Sequence, residues 1–163
     1  MTNAKRTSRE ISIEHVTITS ERPFAEVRAA LEANVSKFGV GMLDALSSRD
    51  LSRVRTYETS GPKLSLFLQR DHGALLESTG HPLNAIQYEI GNPVTATKMT
   101  RYNLGAALYA PLRVALYENR QGQGVFEYDR PSSLFGQFGD ERVTKVGIEL
   151  DHLLEELLLG AVE

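Results

Sequence analysis

Few side chains in this 163-residue sequence could do chemistry, and they gather around two short stretches. The first ends in Asp71-His72, the second runs through Gly91-Asn92-Pro93 to Met99. Histidine titrates near neutral pH, so His72 is the candidate general acid, base or ligand contact. Asp71 is its chain neighbour, and adjacent residues do not face each other on a strand or helix. It therefore suits a helix cap better than a triad partner. In the second stretch Asn92 is placed to cap a helix, with Pro93 at its first position, where a missing N–H costs nothing. Val94, Thr95 and Ala96 would then present free N–H groups. With the Thr95 hydroxyl and the helix dipole they would make an anion site. Thr97 and Met99 fall on different sides of that helix.

Each feature has a plainer reading. Asn92-Pro93 can simply start the helix while the threonine hydroxyls bond locally. His72 can bond backbone and serve the fold, or it can point at the helix start and line a small pocket with Thr95 or Thr97. The candidate ligand-binding residues are therefore His72, Asn92, Thr95, Thr97 and Met99, with His72 the candidate catalytic group. No metal is expected: His15, His72, His81 and His152 lack ligand spacing and there is no cysteine. No nucleophile elbow, phosphate-binding loop or dinucleotide fingerprint is present, and no cofactor is expected.

The elements that must position these residues can be read from periodicity. Ile86, Tyr88 and Ile90 alternate with polar residues, the pattern of a half-buried strand, and lead straight into the Asn92-Pro93 helix start. Before them, residues 1–8 read as a disordered tail. Ile11, Ile13, Val16 and Ile18 form a strand if a bulge near Glu14-His15 restores their parity. Ser20 to Pro23 is a helix-start signal, and Phe24, Val27, Leu31, Val35 and Phe38 give an amphipathic helix. Residues 40–62 read as a partly helical excursion with Ser48 as a possible cap: a lid, a dimer contact or cover for the sheet.

Leu64, Leu66 and Leu68 give the next strand, and Asp71 caps a short helix to about Ser78. After the helix that starts at Pro93 comes a loop from Arg101 to Ala110. Leu112 to Tyr117 and Val125 to Tyr128 then form a hairpin. Ser132 or Ser133 is then placed to cap a short turn of helix. A long helix from about Asp140 to Leu159 closes the chain, with Ile148 and Leu159 off its apolar stripe, as if a partner subunit covered them. The order β–α–β–β–β–β–α predicts an α+β fold: an antiparallel sheet of about five strands with helices on one face, and the other face open to a second copy.

Four segments resemble a known family. Leu66-Phe67-Leu68-Gln69-Arg70-Asp71-His72-Gly73-Ala74 is similar to a strand ending in Asp-His-x-Ala. Gly91-Asn92-Pro93 with Thr97 and Met99 is similar to Gly-Asn-Pro-x-x-Gly-Thr-x-Leu-Met, with Ala96 in place of the second glycine. Ala110 to Glu118 resembles a Leu-Pro-Leu-x-Val-x-Val-Trp-Glu strand, with Tyr117 where Trp is common. Gly124 to Leu134 resembles the strand that returns. Together they resemble the domain of unknown function 302 family over residues 64–135. The resemblance implies a TATA-binding-protein-like α+β fold, usually a dimer, with residues 40–62 an insertion; the length suits a single domain over residues 9–163. It implies no established activity.

Bulk composition narrows the function classes. A net charge of −3 without a basic tract argues against a nucleic-acid surface, which would need Arg101, Arg113, Arg120 and Arg130 on one face. No apolar run approaches membrane length, and the N-terminal stretch is no secretory signal, so the expected location is cytoplasmic. The expected function is a homodimeric, non-catalytic module that binds a small anionic or amphipathic ligand or serves as an interaction domain. The alternative is an enzyme using His72 as general acid or base, with Asn92 and Thr95 holding substrate.

Overall fold

A computed structural model describes residues 4–163. Part of the expected 1–8 tail, residues 1–3, lies outside the described residues, and residues 4–8 are exposed and without helix or strand. Six strands form one sheet: β1 (His15–Pro23), β2 (Ser36–Lys37), β3 (Ser65–Asp71), β4 (Ala85–Gly91), β5 (Leu112–Glu118) and β6 (Gln123–Asp129). Their spatial order is β1-β6-β5-β4-β3-β2, antiparallel throughout except for the parallel β2–β3 pair. The α+β class and the antiparallel sheet are as the sequence predicts.

The sixth strand is the difference. Helix α1 (Phe24–Asn34) stops four residues short of Phe38, because Val35 turns extended and Ser36–Lys37 pair with Ser65 and Leu66. Phe38 then stacks on Phe67, with ring centroids 4.4 Å apart. Val35 and Phe38 keep helical spacing but flank a strand, Val35 buried and Phe38 half-buried, so periodicity alone could not separate the two. At the other edge, β1 begins only at His15; Ile11 and Ile13 lie outside it, 37% and 38% exposed. No bulge forms at Glu14-His15, and the register shift falls between Thr19 and Pro23 instead.

Residues 40–62 are largely helical, as α2 (Val40–Ser47) and α3 (Leu51–Ser60). Asp50, not Ser48, caps α3, accepting from the N–H groups of Ser52 and Arg53. α4 (His72–Ser78) is capped by Asp71, and α5 (Pro93–Thr100) by Asn92, both as expected. The 101–110 loop holds a 3-10 helix, Leu104–Tyr109. Short α6 (Pro131–Gly136) takes its cap from elsewhere: the buried Asp151 carboxylate accepts from Ser132 N at 2.8 Å. α7 (Glu141–Val162) follows its Asp140 cap and runs past the expected end. Two ion-pair hydrogen bonds from Arg142 hold the Asp140 carboxyl down at about 2.

α1 and α7 cover one face of the sheet. Ile86, Tyr88, Ile90, Val114, Leu116 and Phe126 point into that layer, each 2% exposed or less. Buried Tyr88 has one polar atom to satisfy, and its hydroxyl donates to Glu32 Oε1 at 2.9 Å. Burial and that carboxylate push the phenol well above its ordinary range. The opposite face carries the interleaved residues, Gln87, Ala115 and Glu127 among them, which are half-buried.

α1 approaches the sheet closely at Gly124. A Cβ there would lie 2.9 Å from Val27 Cβ and Cγ2, and Val27 is fully buried on a rigid helix. Gly124→Ala is expected to destabilise by about 1–3 kcal/mol through overpacking. Adding Val27→Ala should return part of that loss, which a double-mutant cycle by urea unfolding would measure.

Candidate functional site

At the β4–α5 corner the strand ends in Gly91 and the helix begins at Pro93. Asn92 sits between them in extended conformation, and its side chain is fully engaged. Oδ1 accepts from Val94 N at 2.9 Å and Thr95 N at 3.1 Å, while Nδ2 donates to Pro62 O at 3.0 Å. Ala96 N donates to the Asn92 carbonyl at 3.0 Å. The N–H groups expected to be free are thus all taken, and Pro93 has none. The corner is a closed cap, which removes the basis for an anion site there.

What the corner builds instead is a cavity of about 250 Å³. Gly91, Asn92, Pro93, Thr95, Ala96 and Met99 form one side. Phe67 of β3 and the Ala110-Pro111-Leu112 segment form the second, and Phe135 of α6 and Leu150 of α7 close the end. No charged side chain is in the wall, and Phe135 and Met99 are buried to within 1%. The Thr95 hydroxyl has no hydrogen-bond partner among the described residues, so it is the wall's available polar side-chain group.

The residues singled out from sequence divide cleanly. Asn92, Thr95 and Met99 line the cavity together. Thr97 does not: it is exposed, and its hydroxyl donates to Val94 O at 2.7 Å. His72 is far away. Because β3 and β4 are antiparallel, Gly91 pairs with Ser65 whereas Asp71 pairs with Ile86. His72 therefore leaves the opposite end of the strand, some six residues or about 20 Å along it. It is exposed at the first position of α4, whose cap is the Asp71 carboxylate accepting from Ala74 N at 2.9 Å. His72, Asn92 and Thr95 cannot share one substrate, so that catalytic arrangement is not built.

Phe67, Pro111, Phe135 and Leu150 were not legible as site residues. Phe67 and Pro111 each fall within a quoted family motif, and that was the available signal. The other titratable cluster lies on the open sheet face. His15 Nδ1 is 3.1 Å from Asp129 Oδ1 and its Nε2 is 3.3 Å from Glu127 Oε2. The bond to Asp129 leads in raising the imidazole pKa, with Glu127 adding to it. Tyr117 donates to the same Glu127 at 2.7 Å, which raises the phenol in turn. These groups satisfy one another, and among the described residues no group of His, Asp and Glu is arranged to hold a metal ion. None of the described helices is long and apolar enough to cross a membrane.

A six-stranded α+β sheet layered by helices on one face, with an apolar cavity where its fourth strand turns into a helix, defines a class of small α+β domain. Residues 51–158 match the family model described as Domain of unknown function DUF302, and the chain belongs to that family. Among solved structures it is similar to the crystal structure of an uncharacterized conserved DUF302 protein from Bacillus stearothermophilus. The TM-score is 0.61 at 15% identity, with 91% of this chain and 94% of that one covered. That likeness speaks for the fold alone. No curated protein matches the chain.

Proposed function

We propose that this protein is a homodimeric binding module whose ligand is a small apolar or amphipathic molecule held in the cavity beside α5. The observation that carries the reading is the cavity itself: about 250 Å³ of space with an uncharged wall, at a corner whose N–H groups are already capped. An apolar molecule seated against such a wall sheds water and gains dispersion contacts with it. The second copy would cover the open sheet face, where Arg70 and Glu89 pair at 2.6 Å, so that neither charge would be left without a partner on burial.

The test uses hexanol as a neutral, apolar occupant. Titration followed by NMR should give saturable shifts of the Met99 methyl in the intact protein. They should vanish in Gly91→Leu. At Gly91 the nearest atoms to a Cβ belong to Pro111 and Phe67, at 3.5–3.7 Å, and both residues line the cavity, so a longer side chain grows into it. Linear, unsaturable shifts, or saturation that survives the plug, would refute the ligand half. Native mass spectrometry of the same sample reads the dimer half: a monomer mass at micromolar concentration refutes it.

A further inference from the structure

Resting on the cavity reading, we infer that the ligand class is a neutral aromatic or heteroaromatic molecule of one or two rings, bearing one group that hydrogen-bonds to Thr95. Three observations meet here. The first is charge. The wall holds no Lys, Arg, Asp or Glu, and the α5 N–H groups are closed by Asn92, so a carboxylate or phosphate would be desolvated without a partner. The second is size. A cavity of 150 Å³ takes a benzene ring, and drug-sized ligands need roughly 300 Å³ or more. About 250 Å³ lies between, with room for a ring and a second fused ring or a short substituent.

The third observation is the chemistry of the wall. Phe67 and Phe135 bring rings to it, and Met99 brings a thioether, which favours contact with ring edges. Phe67 is held on one face by Phe38, in a stack only 20° from parallel. A planar ligand beside Phe67 would meet an aromatic ring already fixed in place, with little side-chain entropy left to lose. The Thr95 hydroxyl, donor or acceptor by rotation, then orients the ligand's N–H or O–H.

Indole is the probe. The chain has six tyrosines and no tryptophan, so indole emission excited beyond tyrosine absorption comes from the ligand alone. Binding should shift that emission to shorter wavelength and saturate. Indole should bind at least ten-fold more tightly than hexanol, and benzoate should not bind. Thr95→Val should weaken indole about five-fold, the size of one neutral hydrogen bond, while leaving benzene, which has no group to hydrogen-bond, within two-fold. Gly91→Leu and, independently, Ala96→Leu should abolish binding of indole and hexanol alike, so that a folding defect in one plug leaves the other to decide. Hexanol binding as tightly as indole, or benzoate binding, overturns the aromatic class while the cavity reading stands. If neither indole nor hexanol saturates, the cavity reading falls with it.

Discussion

Phe135→Ala is expected to lower stability by about 3–5 kcal/mol, a large share of what holds a domain of this size together. Phe135 is fully buried, edge-on to Tyr109 at 6.3 Å, and forms part of the cavity wall. Truncation therefore removes a ring that both packs the core and walls the cavity, enlarging the cavity. Neighbours cannot collapse into it, because α6 is held against α7 by Asp151 on Ser132 N and by the close approach at Gly147, where a Cβ would lie 3.0 Å from Ser132 Cα. The loss should thus sit at the upper end of the range. Phe126→Ala makes the comparison: an equally buried ring on the sheet, outside the cavity wall. It should cost a similar amount yet leave hexanol binding unchanged in whatever folded fraction remains. Urea midpoints for the pair would settle this, and a Phe135→Ala loss below about 1.5 kcal/mol would contradict the rigid wall.

Asn92→Ala should cost about 2–3 kcal/mol, and Asn92→Asp about 1 kcal/mol or less. The difference comes from the two ends of the carboxamide. Oδ1 caps Val94 and Thr95, and aspartate keeps that acceptor with a charge that suits a helix N-terminus. Nδ2 ties Pro62 to the corner, and both variants lose it. If alanine and aspartate proved equally damaging, the tie to Pro62 would be the part that matters and the cap incidental. Chemical denaturation of the two variants side by side distinguishes these outcomes.

Local chemistry was legible in the sequence, and relative placement was not. Asp71 and Asn92 each declare a cap because a short oxygen-bearing side chain before a helix has one efficient use. Asp50 was overlooked because Ser48 competes for the same role two residues earlier, and only the actual break at Arg49, with φ at 57°, decides between them. The alternation in β4 and β5 gave those strands almost to the residue, since each buries one face. β2 was invisible because two residues carry no period.

The misplacement of His72 has a simple cause. The sequence shows that β3 ends near His72 and that β4 ends near Asn92. In an antiparallel pair those are opposite ends of the sheet, and only the register states it. The cavity was half legible for a related reason. Asn92, Thr95 and Met99 belong to one continuous segment, but the facing wall is drawn from residues 67, 110–112, 135 and 150, which no local pattern connects.

The strand order carries a kinetic consequence. β3, β4, β5 and β6 are sheet neighbours in the order of the chain, so each can pair as soon as it is made. β1 is different: its sole neighbour is β6, beginning more than a hundred residues later. During synthesis the first strand must wait, unpaired, until residues 123–129 emerge from the ribosome. Ser20 and Arg22 then reach the carbonyls of Val162 and Ala161, so β1 is latched only by the last helical turn. Throughout that interval the newborn protein exposes a bare strand edge, the form of chain most prone to stick to its siblings and most in need of a chaperone's cover.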